Sequence, residues 1–283
     1  MISDGERRRL EGLAADMRWH IVHMMGPGKA HHFGGSLSAA DIMSALYFRT
    51  LRYDPQDPRW AGRDRFIMSK GHSVPAQYAA LAMLGVIGIE ELPSLKHLGS
   101  RLQGHPAMHE TPGIEGCTGA LGEGLSYANG MALAGRVLGL DFRVFCLVGD
   151  GELQEGQCWE AAMTASRHCL SNVIAILDRN RLKAMDETSC SKSMDPQAAR
   201  WASFGWGVTE IDGHDMTAIC DALDWATSGG ARPSIIIANT VKGKGISFAE
   251  GNAAFHNAVM TPEQFGLALA ELSARRAAFA EVG

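Results

Sequence analysis

A series of short apolar runs, each closed off by polar or glycine residues, constrains the fold of this chain more than any other feature. They are Arg65-Phe-Ile-Met68, Phe142-Arg-Val-Phe-Cys-Leu-Val148, Asn172-Val-Ile-Ala-Ile-Leu177, Gly207-Val-Thr-Glu-Ile211 and Ser234-Ile-Ile-Ile-Ala-Asn239. Runs this short, rich in Val and Ile, read as buried strands. Helical periodicity fills the gaps between them, near 73–84, 121–138, 155–169, 195–203 and 215–227. Strands alternating with helices predict an α/β fold with a mostly parallel central sheet and helices on both faces.

Before the first run, residues 6–25 carry Leu10, Leu13, Met17, Ile21 and Met24 at helical spacing, stopped by Gly26-Pro27-Gly28. A second helix is expected over 38–51, with Ser38 as N-cap and Asp41 as its acidic partner three residues on. Residues 52–64 read as a polar loop, and Thr261-Pro262-Glu263 opens a terminal helix over about 261–280. No internal repeat or long linker divides the chain. Residues 1–283 therefore read as one elaborated domain with an N-terminal helical extension over about 1–51.

Composition removes several classes of function. A net charge of −5, with 26 basic against 31 acidic residues, argues against a nucleic-acid binder. No run of eighteen apolar residues and no apolar N-terminal segment behind a basic cluster is present, so no membrane or secretory role is expected. The 6 cysteines are scattered without a Cys-x-x-Cys pair, which fits a reducing cytoplasm better than a zinc knuckle or disulfide framework. The unusual counts are 33 Gly and 11 His, several of them adjacent. That pairing suggests backbone brought close to a ligand.

The chemistry gathers where two of the strands end. Val144-Phe-Cys-Leu-Val-Gly-Asp-Gly-Glu152 runs a buried strand into Gly149-Asp150-Gly151, and ligands of open α/β sheets collect at such strand ends, where glycine lets backbone N–H groups approach anionic oxygen. The next strand ends at Asn180 and brings a second oxygen donor to the same sheet edge. A hard divalent ion that keeps substrate phosphates needs few protein oxygens, and Asp150, Asn180 and a main-chain carbonyl just beyond suffice.

Gly149-Asp150-Gly151 followed by Asn180 resembles the thiamine diphosphate-binding motif, and its surroundings resemble the N-terminal half of transketolases. The resemblance runs through His32-Phe-Gly-Gly-Ser-Leu-Ser38, Asp64-Arg-Phe-Ile-Met-Ser-Lys-Gly-His72, Gln103-Gly-His-Pro106, Thr118-Gly-Ala-Leu-Gly-Glu-Gly124, Gly149-Asp-Gly-Glu-Leu-Gln-Glu-Gly156, Ile211-Asp-Gly-His-Asp215 and Val241-Lys-Gly-Lys-Gly245. It implies that Asp150, Asn180 and the Leu182 carbonyl hold Mg²⁺, or Ca²⁺ or Mn²⁺ in its place. Gly149, Gly151, Glu152 and His72 would lie at the diphosphate, and Gly119, Ala120 and Leu121 at the cofactor's rings. His32, His72, His105 and His256 match substrate-channel histidines, whose imidazoles exchange protons with sugar oxygens near neutral pH. His31 leaves a one-position ambiguity, and counting back from Ser38-Ala-Ala-Asp41 favours His32. Glu155 and Glu160 match carboxylates that meet their symmetry mates between two copies and relay protons, although acidic residues in a first helical turn are also ordinary helix chemistry.

Two departures fall beside the metal positions. Arg181 follows Asn180 where glycine would enter a left-handed conformation more cheaply, and Lys183-Ala-Met-Asp-Glu-Thr188 lacks the usual glycine-containing turn. The family also needs a glutamate on a second domain to activate the cofactor, and this chain ends at Gly283, after the expected first domain. The resemblance therefore points to the N-terminal subunit of a split transketolase, paired with a separate C-terminal subunit in an α2β2 assembly and acting on sugar phosphates or related ketoses and aldoses. The α subunit of a 2-oxo acid dehydrogenase carries a similar diphosphate motif, but Ser69-Lys-Gly-His72, Gly104-His-Pro106 and the His256 region favour transketolase. A non-catalytic scaffold of the same fold is the remaining alternative.

Overall fold

The computed structural model of the chain describes residues 2–182 and 195–280. Helix α1 (Asp4–Met25) is capped by Ser3, whose hydroxyl accepts the Glu6 N–H at 3.2 Å. After it come β1 (Ala30–His31), α2 (Phe33–Ser38), α3 (Ala40–Ala45) and a π-helical turn over Leu46–Thr50. The remaining strands and α-helices among the described residues are β2 (Arg65–Met68), α4 (Val74–Met83), α5 (Glu123–Leu138), β3 (Val144–Gly149), α6 (Gly156–Arg167), β4 (Val173–Arg179), α7 (Gln197–Ser203), β5 (Gly207–Asp212), α8 (Met216–Thr227), β6 (Ser234–Asn239), β7 (Ala258–Val259) and α9 (Pro262–Ala280). Strands and helices thus fall within a few residues of the expected positions. Among the described residues no helix is long and apolar enough to cross a membrane.

The central sheet has the order β2-β3-β4-β6-β5, with every pair parallel. Its strands read as unbroken apolar runs because both faces are covered. Alternate residues serve opposite layers. Phe66, Met68, Phe145, Leu147, Ile174, Ile176 and Ile236 pack against α1, α3, α4 and α8. Ile67, Val144, Cys146, Val148, Val173, Ala175, Leu177 and Ile235 pack against α5, α6 and the buried Trp201 and Trp206.

Register is what builds the site. Gly149 lies beside Asp178, and Asp178 beside Ala238, so the C-terminal ends of β2, β3, β4 and β6 deliver Lys70, Asp150, Asn180 and Lys242 to one edge. That edge is where parallel sheets bind ligands.

The segment 38–51 departs from the expected single helix. Ser38 does not cap it: the residue is the last of α2, and its hydroxyl donates to Asp178 Oδ2 at 2.6 Å. Asp41 is likewise no capping carboxylate, because it pairs with Arg18 from α1. Buried charge elsewhere in the fold outcompetes the local helix signal in both cases. At the other end Thr261 behaves as expected, exchanging hydrogen bonds with Gln264 at the start of α9.

Candidate active site

A cavity of about 380 Å³ opens at this sheet edge, lined by His32, Gly35, Lys70, His72, His105, Gly119, Leu121, Gly149, Asp150, Gly151, Glu152, Asn180, Leu182, Lys242 and His256. Distant segments are brought together by specific local devices. Gly71 is required by close approach, since a Cβ there would stand 2.5 Å from the Thr118 carbonyl oxygen. The Thr118 hydroxyl in turn donates to the Met68 carbonyl at 2.6 Å, so the 118–121 loop is fastened beside His72. On the opposite wall β1 and β7 form a two-residue antiparallel ladder, which sets His32 next to His256.

The histidines form one cluster. The His32 ring lies 4.9 Å from His72, 5.4 Å from His256 and 6.4 Å from His105, centroid to centroid, and His72 lies 5.2 Å from His256. Burial pushes His32 and His256 down to about 4 and His72 to about 2, reinforced by nearby Lys and His charges. Burial and Lys96 lower His105 as well. All four imidazoles are therefore neutral at neutral pH. His256 Nδ1 lies 2.8 Å from Lys242 Nζ, which makes Nδ1 the acceptor and leaves the ring proton on Nε2. Of the two neighbouring histidines, His32 lines this cavity, and His31 is buried edge-on against Phe33, outside its wall.

Three carboxylates in the cavity region have different duties. Glu152 is spent on the protein, taking Ser69 Oγ and the Gly122 N–H on Oε1 and the Gly149 N–H on Oε2. Asp178, fully buried, accepts from Lys70 Nζ, Thr240 Oγ1, Ser38 Oγ and, at 3.4 Å, Asn180 Nδ2. Burial opposes its charge, but the Lys70 ammonium and the two hydroxyls outweigh it and hold the carboxyl below its ordinary value. Because Asp178 takes the amide nitrogen of Asn180, it leaves the amide oxygen facing the other way, toward the Leu182 N–H at 3.2 Å. Among the described residues, Asp150 accepts only from the N–H groups of Gly151 and Arg181. Burial, aided by the charge on Asp178, pushes it up to about 6.

Some expectations need correcting. The backbone N–H groups of the Gly149-Asp150-Gly151 turn are not free for an anion: they donate to Glu152, to the Asp178 carbonyl and to Asp150 Oδ1. The lysines in the cavity wall are Lys70, whose ammonium pairs with Asp178 and donates to the Gly35 carbonyl, and Lys242, two residues that stand inside the sequence motifs without a role assigned to them. Their signal is a lysine followed by glycine just past a strand, Lys70-Gly71 and Lys242-Gly243. Ala120 is exposed and outside the cavity wall, whereas Glu155 and Glu160, expected between two copies and not in the cavity, are exposed at the N-cap and in the second turn of α6. Arg181 takes the left-handed conformation despite its side chain, with φ 64°. The 183–188 segment lies outside the described residues.

Residues 12–275 match the family described as transketolase, thiamine diphosphate binding domain. The chain belongs to this family. It is 45% identical over 241 residues to the 6-deoxy-6-sulfo-D-fructose transketolase subunit SqwG of Clostridium sp. (strain MSTE9), covering 85% of this chain and 88% of that one. It is 42% identical over 258 residues to a subunit of the apulose-4-phosphate transketolase of Phocaeicola vulgatus, covering 91% and 92%. Among solved structures it superposes on the transketolase of Campylobacter jejuni with a TM-score of 0.87 at 30% identity, over 96% of this chain and 45% of that one. The chain thus spans slightly less than half the length of that solved transketolase.

Membership implies use of thiamine diphosphate with a divalent metal, and the donor set at the sheet edge fits such a group. Among the described residues no three His, Cys, Asp or Glu side chains converge as a metal cage. A carboxylate, an amide oxygen and a carbonyl, the last with one lone pair taken by Lys242 Nζ at 2.8 Å, are instead the kinds of oxygen that a hard cation carrying its own phosphates requires. Asp150, charged only at a cost in its dry setting, gains most from such a cation.

Proposed function

We propose that this chain is the diphosphate-binding subunit of a two-subunit transketolase, moving a two-carbon ketol unit from a ketose to an aldose together with a separate C-terminal subunit. The observation that carries this reading is the single cavity in which a cluster of neutral histidines meets Asp150, Asn180 and two buried lysines. Thiamine diphosphate, when bound, supplies the carbanion chemistry that no side chain here can provide.

The chain's own residues then have distinct tasks. Asp150, the Asn180 amide oxygen and the Leu182 carbonyl hold the metal, for which Mg²⁺ is the natural ion and Ca²⁺ or Mn²⁺ share the donor preference. Lys70 and Lys242 balance diphosphate charge, and Gly119 and Leu121 face the cofactor's rings. His32, His72, His105 and His256, neutral and close-packed, exchange protons with hydroxyl and carbonyl oxygens of the sugar. His256 donates from Nε2, since Nδ1 is taken by Lys242. Glu155, the N-cap of α6, and Glu160 within it, both exposed, are assigned to contact with a second copy in an α2β2 assembly.

Support for a partner comes from relatives of matching length that are themselves named as subunits. Their names carry a sulfonated and a phosphorylated ketose, so we assign an anionic sugar as substrate class. The free thiols of Cys117, Cys146, Cys158, Cys169 and Cys220 suit the reducing cytoplasm. The test is to mix purified subunits and follow ketol transfer. Activity is expected only in the mixture, and equal activity from this chain alone would overturn the two-subunit reading.

A further inference from the structure

The motif Ile211-Asp-Gly-His-Asp215 has no part in the cavity wall, yet it fastens the segment that carries Lys242. The Gly213 N–H donates to the Asn239 carbonyl at 2.8 Å. A Cβ on Gly213 would stand 2.5 Å from Thr240 Cγ2, so only glycine allows the two segments to lie this close. The Val241 N–H donates to His214 Nε2 at 2.8 Å. Beyond these contacts the segment turns inward: Thr240 donates to Asp178, and Lys242 Nζ donates to the Leu182 carbonyl at 2.8 Å and lies 2.8 Å from His256 Nδ1.

The His214 ring is itself held in a defined state. Nε2 accepts the Val241 N–H, so the hydrogen is on Nδ1, which donates to Asp41 Oδ2 at 2.7 Å. Asp41 is buried and also receives both terminal nitrogens of Arg18 from α1. An ionised Asp41 thus fixes the tautomer that gives Val241 its acceptor. The chain Arg18–Asp41–His214–Val241 ends one residue before the cavity lysine.

We infer that His214 is a positioning residue, one that sets the place of Lys242 at the cofactor's diphosphate through the Val241 amide. This rests on the function proposed above, and its test separates the two. His214→Phe removes the acceptor, whereas His214→Asn keeps an oxygen near it. In the full chain, hydrogen exchange at the Val241 amide is expected to speed up at least about tenfold in the Phe variant and to stay within about threefold of the parent in the Asn variant. With the partner subunit present, thiamine diphosphate affinity measured by calorimetry is expected to fall about tenfold in H214F, and H214N to restore it.

A double-mutant cycle with Lys242→Met decides the route. If His214 acts through Lys242, H214F costs nothing further in the K242M background, whereas a general loosening of the fold adds to it. Should H214F not fold, His214→Met carries the same comparison. An unchanged Val241 exchange rate in the variant, or additive losses in the cycle, overturns the inference. Absence of any cofactor binding by the parent assembly overturns the proposed function instead, and the exchange measurement still reads the clamp.

Discussion

Two buried aspartates sit at opposite ends of the same sheet and have opposite electrostatics. Asp64, just ahead of β2 at the N-terminal edge, is saturated. It accepts the backbone N–H groups of Arg52 and Arg143 at 2.9 and 2.8 Å and both of their guanidinium groups. Burial works against its charge, but these donors hold its carboxyl below the ordinary value. Asp150, just past β3 at the C-terminal edge, has two backbone donors and a neighbouring carboxylate, and is pushed up to about 6. One end of the sheet is finished by its own side chains, and the other keeps a carboxylate whose hydrogen bonds, among the described residues, come from two backbone N–H groups, at the place proposed for a cation. The function proposed above thus divides stability and binding between the two edges.

Substituting both aspartates tests that division. Asp150→Asn is expected to weaken metal-dependent cofactor binding in the assembled complex by at least about a thousandfold, since it removes the carboxylate proposed to hold the metal, and calorimetry reads this directly. In the free chain the same change is expected to be stabilising. With its folded value raised from 3.8 to about 6, Asp150 binds its proton more tightly folded than unfolded. Stability therefore falls as pH rises from about 4 to about 6, and the full penalty, of the order of 2–3 kcal/mol, stands at pH 7. Urea unfolding profiles of parent and D150N are expected to meet near pH 4 and to separate above pH 6. If D150N is less stable at pH 7, the carboxylate has a further stabilising partner in the free chain.

Asp64→Asn is expected to do the reverse. It leaves Arg143 with an incomplete shell and costs about 3 kcal/mol at pH 7, at the low end for a broken buried pair because Arg52 can turn to solvent. The lowered value of Asp64 makes its contribution full above pH 4 and lost as pH falls further. Cofactor affinity of the assembled D64N enzyme is expected to match the parent. A loss of affinity equal to that of D150N would show that the two edges are not independent.

The same contrast explains what was legible in the sequence. The sheet core was readable because burial on both faces writes itself as short Val and Ile runs, and β6 begins and ends where Ser234 and Asn239 place it. Asp150 and Asn180 were readable because each stands at a strand end next to residues that break the strand. Asp178 was not, although it lies two residues before Asn180. Its partners Lys70, Ser38 and Thr240 come from three other segments, and nothing local marks a carboxylate that will meet them. The Ser38 hydroxyl departs from its expected capping place for the same reason. Its composition signal is that of a cap, and a buried carboxylate 140 positions away takes it. Local pattern reports which face a residue turns to the core, and the pairing of polar groups across the sheet edge is set by register.

Arg181 gives the smallest and most local test of the binding edge. Its φ of 64° costs a residue with a Cβ about 1–2 kcal/mol, and that conformation lets its N–H reach Asp150 Oδ2 at 2.5 Å. Arg181→Gly removes the clash but adds backbone freedom to the unfolded chain, which takes back about half of the gain. The expected net result is a stabilisation of about 0.5–1 kcal/mol, a rise in Tm of roughly 1–4 °C, with metal affinity in the assembled enzyme unchanged. That outcome would mean the Asp150 carboxylate dictates the loop and the side chain at 181 is a tolerated passenger. A loss of metal or cofactor affinity in R181G would instead assign the exposed guanidinium a share of the charge balancing proposed for Lys70 and Lys242.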